Sequence, residues 1–340
     1  MATNELHETA RALVADNKGI LAADESSGTI KKRFDSIELE STEENRRAYR
    51  DMLFTTPDLE QFVSGVILFD ETIRQSSADG TPFPKLLAGK GIIPGIKVDT
   101  GAKPLAFSPD ETVTEGLDGL RERLEEYRDL GARFTKWRAV IAIGDGIPTD
   151  YCLRVNAHAL GRYAALSQEA GLVPIVEPEV LMDADNTIER CHEVTSRTLD
   201  LVFAELERQG VALEGMLLKP NMVISGKQCP TQATSEQVAE LTIDCFLRHV
   251  PAMVPGIVFL SGGQSEVEAT ENLNAVNRLG GPWPLSFSYG RALQASALTA
   301  WGGEPANVEA AQSAFLHRAR MNTLAAAGDW NADLEQAVPA

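Results

Sequence analysis

Three of the chain's ten lysines, Lys97, Lys136 and Lys219, stand where short apolar runs stop, in GIKVD, FTKWR and LLKPNM. A lysine closed off from water loses hydration of its charge and is expected to titrate below its usual range, more so beside another cation. An ε-amine that is neutral near pH 7 attacks a ketone or aldehyde, and the protonated imine then draws in the electrons of an adjacent C–C bond. Lys219 has the most apolar surroundings and is the candidate nucleophile. One lysine at a strand end commonly snorkels into solvent; three in equivalent settings argue for a shared site.

Imine formation needs protons moved and water expelled, which calls for a carboxyl group in reach. Glu177 and Glu179 in VEPE are candidates, although strand-end carboxylates also pair structurally with neighbouring lysines. Asp24 in LAADES is available to take a proton from a substrate hydroxyl; the alternative is a helix N-cap. Two glycine-rich turns, Ser261-Gly262-Gly263-Gln264 and Ser288-Tyr289-Gly290-Arg291, bring backbone N–H groups, helix N-termini and the Arg291 guanidinium to where an anion could sit. Either could be an ordinary turn. Lys97 with the hydroxyls of Ser26 and Thr29 offers a second anion site, and two phosphates imply a bisphosphate. The five histidines form no HxH or HExxH pattern, so a metal-polarised carbonyl is disfavoured and no metal or cofactor is expected.

Such residues need a frame that brings distant segments to one place. A recurring unit supplies it: a helical stretch, a glycine, an apolar run, then a polar residue. Leu117, Leu120, Leu124 and Tyr127 keep helical spacing up to Gly131 and the run Phe134–Trp137. Val155, Leu160 and Tyr163 lead to Gly171 and the run 172–177; Leu199, Val202 and Leu206 lead to Gly210 and the run 215–219. A capping-box pattern at Ser265 and Glu268 opens another helix, closing near Gly280 before Leu285–Ser288. With runs at 19–24, 65–70, 92–97 and 256–261 there are eight candidate strands, ending on Asp24, Asp70, Lys97, Lys136, Glu177, Lys219, Ser261 and Ser288. The predicted fold is α/β, a (β/α)8 TIM barrel whose C-terminal rim collects these endings. An open doubly wound sheet is the alternative, but no GxGxxG follows the first run and no P-loop occurs.

The chain has 340 residues, 44% hydrophobic and 24% charged, which suits a packed globular protein. Its even composition favours one barrel domain over residues 1–340, with an N-terminal helical segment and a short tail from about residue 325. A net charge of −18 disfavours nucleic acid and anionic membranes as partners, so an anionic substrate needs local cations. Four cysteines without a CxxC pair read as reduced thiols, and the N-terminal residues are unlike a signal or transit peptide; a cytoplasmic protein is expected.

From GILAADES through STEENRR, GVILFDET, GIKVD, KWR, VPIVEPE, LLKPNMV, FLSGGQSE and SYGRALQASAL to AWGG, the sequence resembles class I, Schiff-base fructose-1,6-bisphosphate aldolases of animals and plants over nearly its whole length. The resemblance implies reversible, metal-free cleavage of fructose 1,6-bisphosphate to dihydroxyacetone phosphate and glyceraldehyde 3-phosphate on a (β/α)8 barrel. It gives Lys219 as the imine-forming lysine, Glu177 as the acid/base of imine formation, and Asp24 as acceptor of the C4-hydroxyl proton. Lys136 becomes the cation beside Lys219, with Glu179 and Arg138 as their partners. Ser261, Gly262, Gly290 and Arg291, with Ser288, match the C1-phosphate site; Ser26, Thr29, Lys97 and Arg33 lie near the other phosphate. Related ketose-phosphate aldolases, for sedoheptulose 1,7-bisphosphate or fructose 1-phosphate, and a silent barrel scaffold are the alternatives. Homotetramers are common in the family. Thr29 replaces the usual serine, and Asp70 stands where vertebrate members have histidine. The last tyrosine is Tyr289, whereas vertebrate members end in one that assists proton exchange on the enamine; that step is expected to use another group or water.

Overall fold

The helices stop where the glycines predict: Leu120–Asp129 ahead of Gly131, Asp150–Glu169 ahead of Gly171, Ile188–Arg208 ahead of Gly210 and Glu266–Leu279 at Gly280. At Gly171 φ is +77°, a left-handed backbone that leaves the helix and turns the chain into the next strand. The Ser265–Glu268 capping box forms as expected, each side chain accepting from the other residue's backbone N–H.

The computed structural model describes residues 2–336; the reading of the chain's last residues, 337–340, lies outside them. The strands are β1 (Gly19–Ala23), β2 (Val63–Leu68), β3 (Ile93–Lys97), β4 (Gly101–Leu105), β5 (Ser108–Glu115), β6 (Phe134–Ile141), β7 (Val173–Val180), β8 (Leu217–Leu218), β9 (Ile257–Phe259) and β10 (Leu285–Tyr289). Eight of them close a parallel barrel in the order β1-β10-β9-β8-β7-β6-β3-β2, which removes the open-sheet alternative because β1 pairs with both β2 and β10. With helices between the strands, the fold is a (β/α)8 TIM barrel.

Period-two alternation decides which side chains face the barrel axis. Ile20, Phe134, Ile175 and Leu217 belong to the inner cluster, while Leu21, Val176 and Leu218 face the helices. The N-terminal helix Ala2–Ala12 seals the end of the barrel where the strands begin, its Leu6 and Ala10 packing into the inner cluster with Leu13 and Val14. Gly95 on β3 lets the Phe134 ring cross the axis: a Cβ there would stand 2.3 Å from that ring.

Three features differ from the sequence reading. An antiparallel hairpin, β4–β5, fills the interval after Lys97, where only a crossover was expected. Its sequence, GAKPLAFSPDETVTE, gives no strand signal, because much of the hairpin is open to solvent and its one apolar stretch, Pro104–Phe107, buries only Leu105. β6 and β7 both continue past the endings read for them, to Ile141 and Val180, so Lys136, Glu177 and Glu179 lie inside strands. Asp70 does not line the cavity at the rim: it opens the short helix Asp70–Ile73, pairs with Arg74 at 2.9 Å and accepts from the Tyr127 hydroxyl at 2.9 Å. Among the described residues, no helix is long and apolar enough to cross a membrane, and all four cysteines are free and buried.

Candidate active site

Where the strands end, a cavity of about 590 Å³ opens, and seven of the eight predicted endings line it, Asp70 being the exception. Glu179, Ser26, Thr29, Arg33, Arg138, Gly262, Gly290 and Arg291 line the same space. The alternation that buries Phe134 and Ile175 lower in the barrel carries Lys136 and Arg138 on β6, and Glu177 and Glu179 on β7, to its floor and wall. Lys219 follows β8 directly, its backbone N–H donating to Val176 O at 2.8 Å.

On the floor, Lys136 Nζ stands 2.7 Å from Asp24 Oδ2 and 3.2 Å from Glu177 Oε2. Glu177 turns its other oxygen to Lys219, Oε1 lying 3.2 Å from Nζ. Both lysine side chains are about 95% buried. Arg138 pairs with Glu179, and Lys97 Nζ is 3.5 Å from Asp99 Oδ1.

Burial opposes ionisation of Asp24, and the charges of Lys136, Lys219 and Lys97 outweigh it, holding the carboxyl well below its usual range. Glu177 is also held low: burial works against it, and Lys136, Lys219 and Arg138 prevail. The expectation that a strand-end lysine titrates low fails for Lys136. Burial does pull it down, but Asp24, Glu177 and Asp99 together push it above the ordinary lysine range, keeping it a cation.

Around the rim, the two glycine-rich turns approach each other, Arg291 Nη2 donating to Gly262 O at 3.2 Å. Arg33 faces the same place, its Nη2 3.4 Å from where a Cβ on Gly290 would be. The Ser288 hydroxyl is buried against the cavity with no hydrogen-bond partner, so it is free to bond a bound oxygen. Ser26 and Thr29 bring their hydroxyls within 3.2 Å of each other at the start of the helix Ser27–Asp35. Seven basic and five acidic side chains line the cavity, a surplus of two positive charges in a chain of net charge −18, which suits an anionic substrate.

Sequence reasoning missed Glu25, Lys32 and Asp99, which also line the cavity. Asp99 stands two residues after Lys97, the same spacing that marks Glu179 after Glu177, so the period-two rule could have found it. Glu25 carries no such signal: it is placed by its ion pairs with Arg33 and Arg50. The histidines lie away from this cavity. His158 and His192, on helices as read, meet Glu205 and Asp244, while His249 and His317 meet Asp200 and Glu335.

The family model for class I fructose-bisphosphate aldolase matches residues 5–339. A probable fructose-bisphosphate aldolase class 1 of Xanthomonas campestris pv. campestris is 60% identical, over 97% of this chain and 99% of that one. A fructose-bisphosphate aldolase of Dictyostelium discoideum is 53% identical, over 97% and 94%. Among solved structures, the Plasmodium falciparum fructose-bisphosphate aldolase in complex with TRAP and a small-molecule inhibitor superposes with a TM-score of 0.96 at 52% identity, covering 97% of this chain and 96% of that one. Barrel, cavity and full-length similarity agree: this chain belongs to the class I fructose-bisphosphate aldolase family.

Proposed function

We propose that the chain cleaves fructose 1,6-bisphosphate reversibly to dihydroxyacetone phosphate and glyceraldehyde 3-phosphate through an imine on Lys219. The observation that carries this reading is the continuous contact Lys219–Glu177–Lys136–Asp24 at the cavity floor. Lys219 passes its ammonium proton to Glu177 Oε1, 3.2 Å away, and attacks the C2 carbonyl as the free amine; the carbinolamine then loses its hydroxyl as water, protonated by Glu177, which returns to the carboxylate as the iminium forms. Carbinolamine nitrogen is uncharged, so one of the cations holding Glu177 low is withdrawn at the step where that carboxyl must carry a proton. Asp24 then takes the C4-hydroxyl proton, the C3–C4 electron pair moves into the iminium to give an enamine, and the aldehyde departs. A proton added at C3 and hydrolysis release the ketone product and free Lys219. Lys136 stays positive between the two carboxylates throughout, while Arg138 and Glu179 brace the wall beside them.

Ser261, Gly262, Ser288, Gly290 and Arg291 hold the C1 phosphate, with the unpartnered Ser288 hydroxyl in its favour. Ser26, Thr29 and Lys97 serve the other phosphate end; Arg33, read with them from the sequence, turns its Nη2 toward Gly290 and joins the C1-phosphate turns instead. The whole chain acts as one barrel domain, and a homotetrameric, cytoplasmic enzyme is proposed with it. The direct test is to supply fructose 1,6-bisphosphate, fructose 1-phosphate and sedoheptulose 1,7-bisphosphate and compare kcat/KM. The highest value is expected for fructose 1,6-bisphosphate, and no cleavage of it would overturn the reading.

A further inference from the structure

Arg50 lies on the helix Glu43–Thr55, outside the cavity, yet a single carboxylate connects it to the phosphate turns. Its side chain is 4% exposed, and its Nη2 donates to Glu25 Oε2 at 2.5 Å. Nη1 has no hydrogen-bond partner, so Glu25 is the anion that answers this buried cation. The second oxygen of Glu25, Oε1, pairs with Nη1 of Arg33 and accepts from Gln294 Nε2 at 3.2 Å. Gln294 is itself held by the Tyr49 hydroxyl at 3.0 Å. Arg33 uses only one edge of its guanidinium on Glu25 and turns Nη2 toward Gly290. Arg50, Glu25 and Arg33 therefore run in line from a buried helix to the cavity wall.

Glu25 is a carboxylate at neutral pH, because burial, which opposes the charge, is outweighed by Arg33 and Arg50. Glu25 alone would cancel Arg33. With Arg50 behind it, the three groups retain one positive charge, and Arg33 is the basic member that reaches the cavity. We infer that Arg50 is a positioning residue for substrate phosphate: it neutralises Glu25 from the side away from the cavity, so Glu25 can fix the Arg33 guanidinium beside Gly290 without cancelling its charge. This rests on reading the cavity as a sugar-phosphate site. Were Arg50 merely a structural partner for a buried carboxylate, phosphate affinity would not follow the charge of the three groups.

The test compares full-length wild type, Arg33→Ala, Arg50→Met and the double variant Glu25→Gln/Arg50→Met, reading KM and kcat for fructose 1,6-bisphosphate and the competitive Ki of inorganic phosphate. Arg50→Met should raise Ki and KM about tenfold, the effect of one charge several ångströms from the ligand in a partly solvated site, with kcat changed less than about threefold. The double variant again leaves one positive charge, and most of the lost phosphate affinity should return. A double variant as weak as Arg50→Met overturns the inference, as does Arg50→Met with wild-type Ki while Arg33→Ala is impaired. Wild-type enzyme that phosphate does not inhibit, together with an Arg33→Ala variant of unchanged KM, overturns the phosphate-site reading and the inference with it. If Arg50→Met fails to fold, Glu25→Gln and Glu25→Gln/Arg50→Met differ by the same charge: the first should bind phosphate about five- to tenfold more tightly, and equal affinity overturns the proposal.

Discussion

Lys136 Nζ lies 2.7 Å from Asp24 Oδ2 at the floor of the cavity, a buried ion pair made by the sixth strand and the residue that follows the first. Glu177 is 3.2 Å from the same ammonium, so two buried carboxylates share the cation that does most, ahead of Lys219, to keep each of them ionised.

Lys136→Met therefore strands both carboxylates. Removing one member of a buried ion pair costs about 3–5 kcal/mol, which denaturant unfolding will show. Without that cation, Asp24 and Glu177 hold protons at higher pH, so the acid limb of the kcat/KM profile should move upward as kcat falls on the order of 100-fold or more. An unshifted acid limb would show that Lys136 does not set these carboxylates.

Asp24→Asn should separate the two halves of the reaction. Cleavage should slow roughly 10²–10⁴-fold because the C4-hydroxyl proton loses its acceptor, while borohydride still traps substrate on Lys219. The same variant tests stability against pH. The folded protein holds the Asp24 carboxyl below its ordinary pKa of 3.8, so its contribution is fully present above about pH 4 to 5 and is lost as pH falls through the folded-state value. The Tm gap between wild type and Asp24→Asn should be widest near pH 7 and shrink on acidification; a gap that widens in acid contradicts the sign.

Arg291→Ala should mainly raise KM for phosphorylated ketoses, by about tenfold or more, as expected for lost binding of a charged group. Initial rates at varied substrate measure it, and an unchanged KM moves the phosphate site elsewhere.

Gly95→Ala tests the barrel interior. The new methyl meets the Phe134 ring, and overpacking of this kind costs about 1–3 kcal/mol. Phe134→Leu in the same chain should return part of it, and additive losses in a double-mutant cycle would show that the two residues do not meet.

Much of this architecture was legible because barrel strands are covered on both faces: apolar runs that stop at Lys136, Glu177 and Lys219 carry their ends into view in one dimension. Glycine ends such as Gly171 were equally plain, since the left-handed backbone they adopt strongly favours that residue. The hairpin after Lys97 was not, because a ribbon largely open to solvent packs only Leu105 and Val113 against the core, too few to write a pattern into the sequence. Asp70 misled for a related reason: a polar residue after a strand can turn outward as readily as inward, and here Arg74 and Tyr127 hold it at the surface. Lys136 was placed correctly but its titration was not, since burial was visible in the sequence and the two carboxylates that outweigh it arrive from distant strands. Glu25 and Arg50 were invisible because their roles come only from pairing across helices.

The most direct measurement is borohydride reduction in the presence of fructose 1,6-bisphosphate or dihydroxyacetone phosphate, followed by peptide mapping by mass spectrometry. One covalent adduct should appear, on Lys219 in the LLKPNM segment, and disappear in Lys219→Arg. An adduct on Lys136 or Lys97, or cleavage that persists in Lys219→Arg, would contradict an imine at this position.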